Sequence, residues 1–172
     1  MADVNIPSTP AEGNVKSVYV PPVADMTAPT LTEANAATAA DLSCYHTAGG
    51  FAFAGDQATM TDERECSTTT SNKPGRKSYT LSITAIDNTN NSALEAEFNL
   101  AVDTLVEGQT LDVIRRRGKA FDAPLTAGDK VKVIRFEVGQ RVEVPVEPNS
   151  VQRSTWSCFV NNAVDGVIAA AL

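Results

Sequence analysis

Apolar and polar residues alternate from Lys77 to Ile86, with Tyr79, Leu81, Ile83 and Ala85 on one side and Ser78, Thr80, Ser82 and Thr84 on the other. Period two marks a strand with one buried face. Asp87-Asn88-Thr89-Asn90-Asn91 ends it, because these short polar side chains compete for backbone hydrogen bonds. The period then changes. Leu94, Phe98, Ala101, Val102 and Leu105 recur at helical spacing, Ser92 and Glu95 stand at the spacing of a capping box, and Gly108 offers a left-handed stop. The pattern predicts a helix over about 92–107. A helix of that length cannot hide its apolar stripe alone, so it should lie across a sheet. Leu111–Ile114 resumes extended structure.

Beyond Gly118 the pattern is all strand. In Val131–Val138, Ile134, Phe136 and Val138 share a face, and Gly139-Gln140 suits a hairpin turn of the glycine-first type. Val142, Val144 and Val146 then alternate with Arg141, Glu143 and Pro145. Val151–Val160 is a further strand with Trp156, Cys158 and Val160 together, and Val167-Ile168 a last short one. Before Lys77 the signals are weaker. Met1–Met26 is punctuated by proline and holds one strand-like piece, Val15–Val20, so residues 1–26 read as an extended arm, with a free tail as the alternative. Leu31–Ala40 suits a short helical turn and Asp41–His46 a strand. Gly49-Gly50 breaks that strand and opens a long, mostly polar loop over 49–75, of a kind usually functional or poorly ordered. The expected fold is mainly β: a β-sandwich or strongly curved antiparallel sheets over residues 27–172, with one flanking helix.

At 172 residues, 42% apolar and 20% charged, the chain suits one soluble domain with a real core. The start shows no signal-like basic and apolar run, and Gly166–Leu172 is too short to cross a bilayer, so a cytoplasmic site of synthesis and no membrane anchor are expected. A net charge of −7 argues against non-specific binding to nucleic acid. Cys44, Cys66 and Cys158 make an odd count without a paired motif, which favours inert thiols over a disulfide framework.

Candidate chemistry is sparse. The lone histidine, His46, has no nucleophile elbow to serve. Cys44 and His46 with Cys66 and Cys158 supply the atom types of a zinc site but lack its tight ligand spacing. The carboxylate groups Asp62, Glu63, Glu65 and Glu95, Glu97 read as solvated surface, the hydrolase reading through Asp62 and Glu65 being the competitor. Gly49-Gly50 lacks the Lys-Ser/Thr of a phosphate loop. Arg115-Arg116-Arg117 is a basic cluster without interleaved aromatics, better suited to carboxylates across a subunit contact, or to water, than to nucleic acid. Neither an enzyme nor a bound cofactor is expected.

Several stretches in order resemble the major tail protein of long, flexible-tailed bacteriophages. They are Asp41–His46 with Gly49-Gly50-Phe51, Asp62–Ser67, Gly75–Leu81, Leu105–Thr110, Arg115–Gly118 and Val131–Gly139. The resemblance implies hexameric rings stacked into a hollow tube in the virion tail, assembled in the host bacterial cytoplasm. It also implies partners in further copies of the chain, the tape measure protein, the tail terminator and the distal tail or baseplate proteins. DNA would transit the lumen without specific binding, past rings of about −42 net charge if six copies are present. The family has no catalytic, cofactor or metal residues to carry over. The arm and the 49–75 loop, which would lock rings together, put forward Val18, Tyr19, Val20, Phe51, Phe53 and Arg64 as candidate contacts between subunits, and the basic cluster, which is not part of the family's pattern, adds Arg115, Arg116 and Arg117. The alternative function is a monomeric β-sandwich binding or decoration module that uses Phe51 and Phe53.

Overall fold

A computed structural model describes residues 8–66, 68–90 and 95–170. Its strands are β1 (Val15–Val20), β2 (Ala40–Asp41), β3 (His46–Asp62), β4 (Ser71–Ile86), β5 (Thr110–Arg117), β6 (Lys130–Glu143) and β7 (Arg153–Val167). Among the described residues three short helices, α1 (Leu31–Ala34), α2 (Glu95–Phe98) and α3 (Leu100–Thr104), interrupt them. The mainly β expectation holds, realised as one seven-stranded sheet in the order β2-β1-β5-β6-β7-β4-β3. Every neighbouring pair is antiparallel.

The sheet carries a core on each face. One gathers Tyr19, Leu81, Ile83, Val113, Ile134, Phe136 and Trp156, and α3 covers it with Ala101 and Leu105. The other gathers Val18, Val20, Ile114, Val131, Val133 and Ile168, roofed by Val23, Ala34 and Leu125. Thr30 and Glu33 close a capping box that starts α1 under this second core.

Several expectations are corrected. Val15–Val20 is not an arm but an inner strand between β2 and β5, with Val18, Tyr19 and Val20 all buried. Both faces of β1 are covered, so its apolar residues run on instead of alternating; Pro21 and Pro22 simply end it. Residues 49–75 are not a loop. They form most of a long β3–β4 ribbon, paired from Phe51↔Ile83 to Asp62↔Ser71 with one register shift between Gln57 and Thr59. Beyond Phe53 both its faces meet solvent, which erases the period-two apolar signal. Gly50 does not break β3: it sits in a register shift where a Cβ would stand 2.2 Å from the Thr84 carbonyl oxygen. Gly139-Gln140 is likewise no turn. β6 runs straight through it with a bulge, and Gly139 is needed because a Cβ there would meet the Ser157 carbonyl oxygen at 2.1 Å. The expected strand over Asp41–His46 shrinks to the end of β2, a turn, and the start of β3. The helix of about 92–107 is split into α2 and α3, anchored by Ala101 and Leu105 while Phe98 remains 37% exposed; its capping residue Ser92 lies outside the described residues.

Candidate functional site

Strand order leaves unfinished edges. Pairing of β4 with β7 runs from Ile86↔Arg153 to Leu81↔Cys158 and stops. From there the β3–β4 ribbon parts from the sheet. Among the described residues, Ser71–Thr80 pairs with β3 alone, and β7 from Phe159 to Asp165 pairs with β6 alone. β3 itself is an outermost strand, the short β2 being the other. Such edges are templates for another chain unless they are blunted; Lys73, Pro74, Arg76 and Lys77 blunt the outer part of β4, whereas β7 from Phe159 to Asp165 carries a single charge, Asp165.

The face opposite the first core is bare over β3, β4 and β7. Register places Ala52, Ala54, Ser78, Thr80, Ser82, Thr84, Thr155 and Ser157 on it together. Thr84 and Thr155 join hydroxyls across the strands at 2.8 Å. Asp56 and Glu137 bring its charge, and Arg153 at its margin pairs with Glu147 at 3.5 Å. This surface is mostly small hydroxyl and methyl groups, with the Phe159 ring exposed on it opposite Glu137.

The predicted contact residues separate into three groups. Val18, Tyr19, Val20 and Arg116 are consumed inside the chain and are not free for a neighbour. Arg116 donates from Nη1 to the Pro124 carbonyl at 2.7 Å and to Asp129 at 3.3 Å, and from Nη2 to the carbonyls of Ala120 and Ala123. It thereby folds the 118–129 segment onto the sheet. The alternation of a strand already separates it from Arg115 and Arg117, a signal available in the triplet itself. Phe51, Phe53 and Arg115 form the second group, at the root of the ribbon. The Arg115 guanidinium lies 3.9 Å over the Phe51 ring, His46 is 5.7 Å from that ring, and Phe53 stacks on Tyr79 at 5.6 Å. Arg64 and Arg117 stand apart, Arg64 at the ribbon tip paired with Asp62 at 3.2 Å and Arg117 exposed at the end of β5. Sequence reasoning missed the free edges and the hydroxyl face, because pairing order is not written in any local pattern.

Three carboxylates are buried among the described residues: Asp87, which pairs with Arg141 at 2.7 Å, Asp112 and Asp129. Asp112, fully buried, accepts from Arg135 Nε and Nη2 at 2.8 and 2.7 Å and from the Val23 backbone N–H at 2.8 Å. Burial alone would raise the Asp129 carboxyl, but hydrogen bonds from Lys119, Thr126 and Arg116 outweigh it and hold the group down at about 2. A depressed carboxyl stabilises the fold above its unfolded value of 3.8, and that contribution is lost as pH falls through about 2. Urea midpoints measured at pH 5 and pH 2.5 should therefore fall less between the two for Asp129→Asn than for the parent; an equal fall would contradict this role.

His46 accepts or donates a 2.9 Å bond with the Tyr19 hydroxyl, and burial, aided by nearby Arg115, pushes its imidazole down to about 4. It is neutral at ordinary pH. Burial pushes the Cys158 thiol up to about 12, whereas Cys44 and Cys66 are exposed. Among the described residues no three His, Cys, Asp or Glu side chains converge on a metal position, and no helix is long and apolar enough to cross a membrane.

A family model described as "Phage tail tube protein" matches residues 1–171. Two solved structures share the fold. A chain of the anti-feeding prophage (AFP) baseplate, solved with six-fold symmetrisation, superposes with a TM-score of 0.54 at 11% identity, covering 92% of this chain and 96% of that one. A chain of the SPP1 tail tube superposes with a TM-score of 0.57 at 10% identity, covering 92% of this chain and 79% of that one. No curated protein matches the chain.

Proposed function

The chain belongs to the phage tail tube protein family, whose model spans residues 1–171, and from that premise we propose that it is the repeating subunit of a hollow tail tube, built of stacked six-copy rings, through which DNA passes to the host. As a family member it is a structural protein of the virion tail. The role has no bond-making step, and self-assembly is its chemistry. Rings would form in the host cytoplasm around the tape measure protein and join terminator and baseplate proteins at the two ends.

The observation that carries this reading is the bare hydroxyl face bounded by unpaired strands. A monomer gains nothing from leaving so much backbone edge open, whereas a ring closes each edge with its neighbour. Facing inward, the same Ser, Thr and Ala residues give a wall of low charge, with Phe159 exposed among them and Asp56 and Glu137 adding repulsion. A stiff polyanion slides past such a wall instead of condensing on it, because affinity for phosphate requires concentrated Lys and Arg.

Electron microscopy of the purified chain tests the proposal. The expected images are rings or tubes of uniform bore whose abundance rises with protein concentration. Isolated monomers at the highest soluble concentration, confirmed by sedimentation, would overturn it.

A further inference from the structure

We propose that the cleft beside Arg115 is the receptor for the acidic tip of the β3–β4 ribbon of a second copy of this chain, with Glu63 and Glu65 as the docked carboxylates. The inference rests on the tube reading and names the contact that joins successive rings.

The receptor is a cleft of about 230 Å³ lined by Ser17, Ser43, His46, Thr47, Phe51 and Arg115. Arg116, Arg135 and Arg141 each reach a carboxylate at 2.7 to 3.3 Å. Arg115 has no such partner among the described residues, and its Nη1 is buried without any acceptor. The Phe51 ring fixes the guanidinium plane from one side. Arg117 lies two residues on, on the same face of β5, exposed and also without a carboxylate among the described residues. Neutral His46 adds no charge, so the Arg115 guanidinium is the one cation that lines the cleft, with Arg117 outside it further along β5. A half-desolvated guanidinium is costly to keep without an anion, and a planar carboxylate is the group that matches its fork.

The occupant is fixed by charge and by reach. At the tip, Arg64 and Lys73 both bind Asp62, at 3.2 and 2.5 Å, which leaves Glu63 and Glu65 exposed without a cation among the described residues. These are the free carboxylates that can answer Arg115. Tip and cleft lie at opposite ends of β3, separated by the strand from Phe51 to Asp62. At about 3.3 Å per residue that is roughly 35 Å of extended ribbon, so a chain cannot fill its own cleft. A neighbour displaced along the ribbon can, and the contact is then head-to-tail and repeats without closing, as a growing tube requires.

The exposed cysteines give a direct test. Cys66 is at the tip and Cys44 is beside the cleft wall at Ser43, while Cys158 is buried. A short bis-maleimide added to assembled protein should give a ladder of covalent multimers on a denaturing gel, lost in both Cys44→Ser and Cys66→Ser. A single dimer band that survives Cys44→Ser would reveal a tip-to-tip contact and overturn the proposal. Arg115→Gln, with folding checked by circular dichroism, should raise the concentration needed for tube growth roughly tenfold or more, as loss of one charge-assisted contact implies. Arg115→Glu combined with Glu63→Arg and Glu65→Arg should recover part of that loss. Normal tubes with neither ladder nor sensitivity at Arg115 would sink this contact and leave the tube reading standing; no assembly of the parent chain would sink both.

Discussion

Replacing Gln57–Lys77 with Asn-Gly leaves a chain that melts as one cooperative unit, within a few degrees of the parent, and forms no long tubes. The splice is geometrically natural because Asp56 and Ser78 are direct partners across β3 and β4, and Asn-Gly supplies the two-residue turn that antiparallel strands accept. Nothing excised belongs to either core. Phe53 and Tyr79, the last ring pair before the ribbon leaves the sheet, are retained, and so are Leu81, Ile83 and Ala85. Residues 54–61 are exposed throughout, and changes at such surfaces usually cost about 0.5 kcal/mol or less. Assembly is the property that suffers, because the excision removes the projecting edge of β3 and both free carboxylates of the tip. Thermal melting followed by electron microscopy separates the two effects. Long tubes from the shortened chain would show the ribbon to be ornamental, and loss of the cooperative melt would show it to be part of the fold.

Why β3 escaped a reading of the sequence while β4 did not is a matter of what each strand faces. Leu81, Ile83 and Ala85 press one side of β4 into a core and write the period-two pattern into the chain. Ala54–Asp62 is wet on both sides, so its strand character comes from pairing with β4 and leaves only a polar, threonine-bearing stretch that looks like loop. β1 fails in the opposite way: covered on both sides, Val18-Tyr19-Val20 is continuous apolar sequence next to two prolines and resembles a sticky arm. Gly139 illustrates a third limit. A glycine between two alternating runs reads as a turn, yet the same residue serves a bulge whose need for it comes from Ser157, far along the chain. The arginine triplet was half legible. Alternation alone splits Arg116 from its neighbours, but that Arg116 would be buried on backbone carbonyls while Arg115 lacked an acceptor depends on the 118–129 segment folding back.

Asp112→Ala should lower stability by about 3–5 kcal/mol, the cost of leaving one member of a buried ion pair alone. The carboxylate is fully buried, holds Arg135 through two bonds and ties down the Val23 N–H just after the two prolines. Its loss strands a guanidinium and a backbone donor beside the second core and frees the segment that roofs it. Against a total of about 5–15 kcal/mol for a domain, that is enough to bring much of the protein out of solution. Two controls make the expectation specific. Asp41→Asn, at the more exposed pair with Lys16, should cost at most about 1 kcal/mol. Combining Asp112→Leu with Arg135→Met removes both charges together and should restore most of the loss, since paired replacement of a buried ion pair by apolar groups is often neutral. Urea denaturation of the three variants reads these differences as shifts in midpoint at constant slope. A midpoint for Asp112→Ala within about 1 kcal/mol of the parent would mean that water reaches the stranded Arg135, and that the second core, not this ion pair, holds the Val23 segment in place.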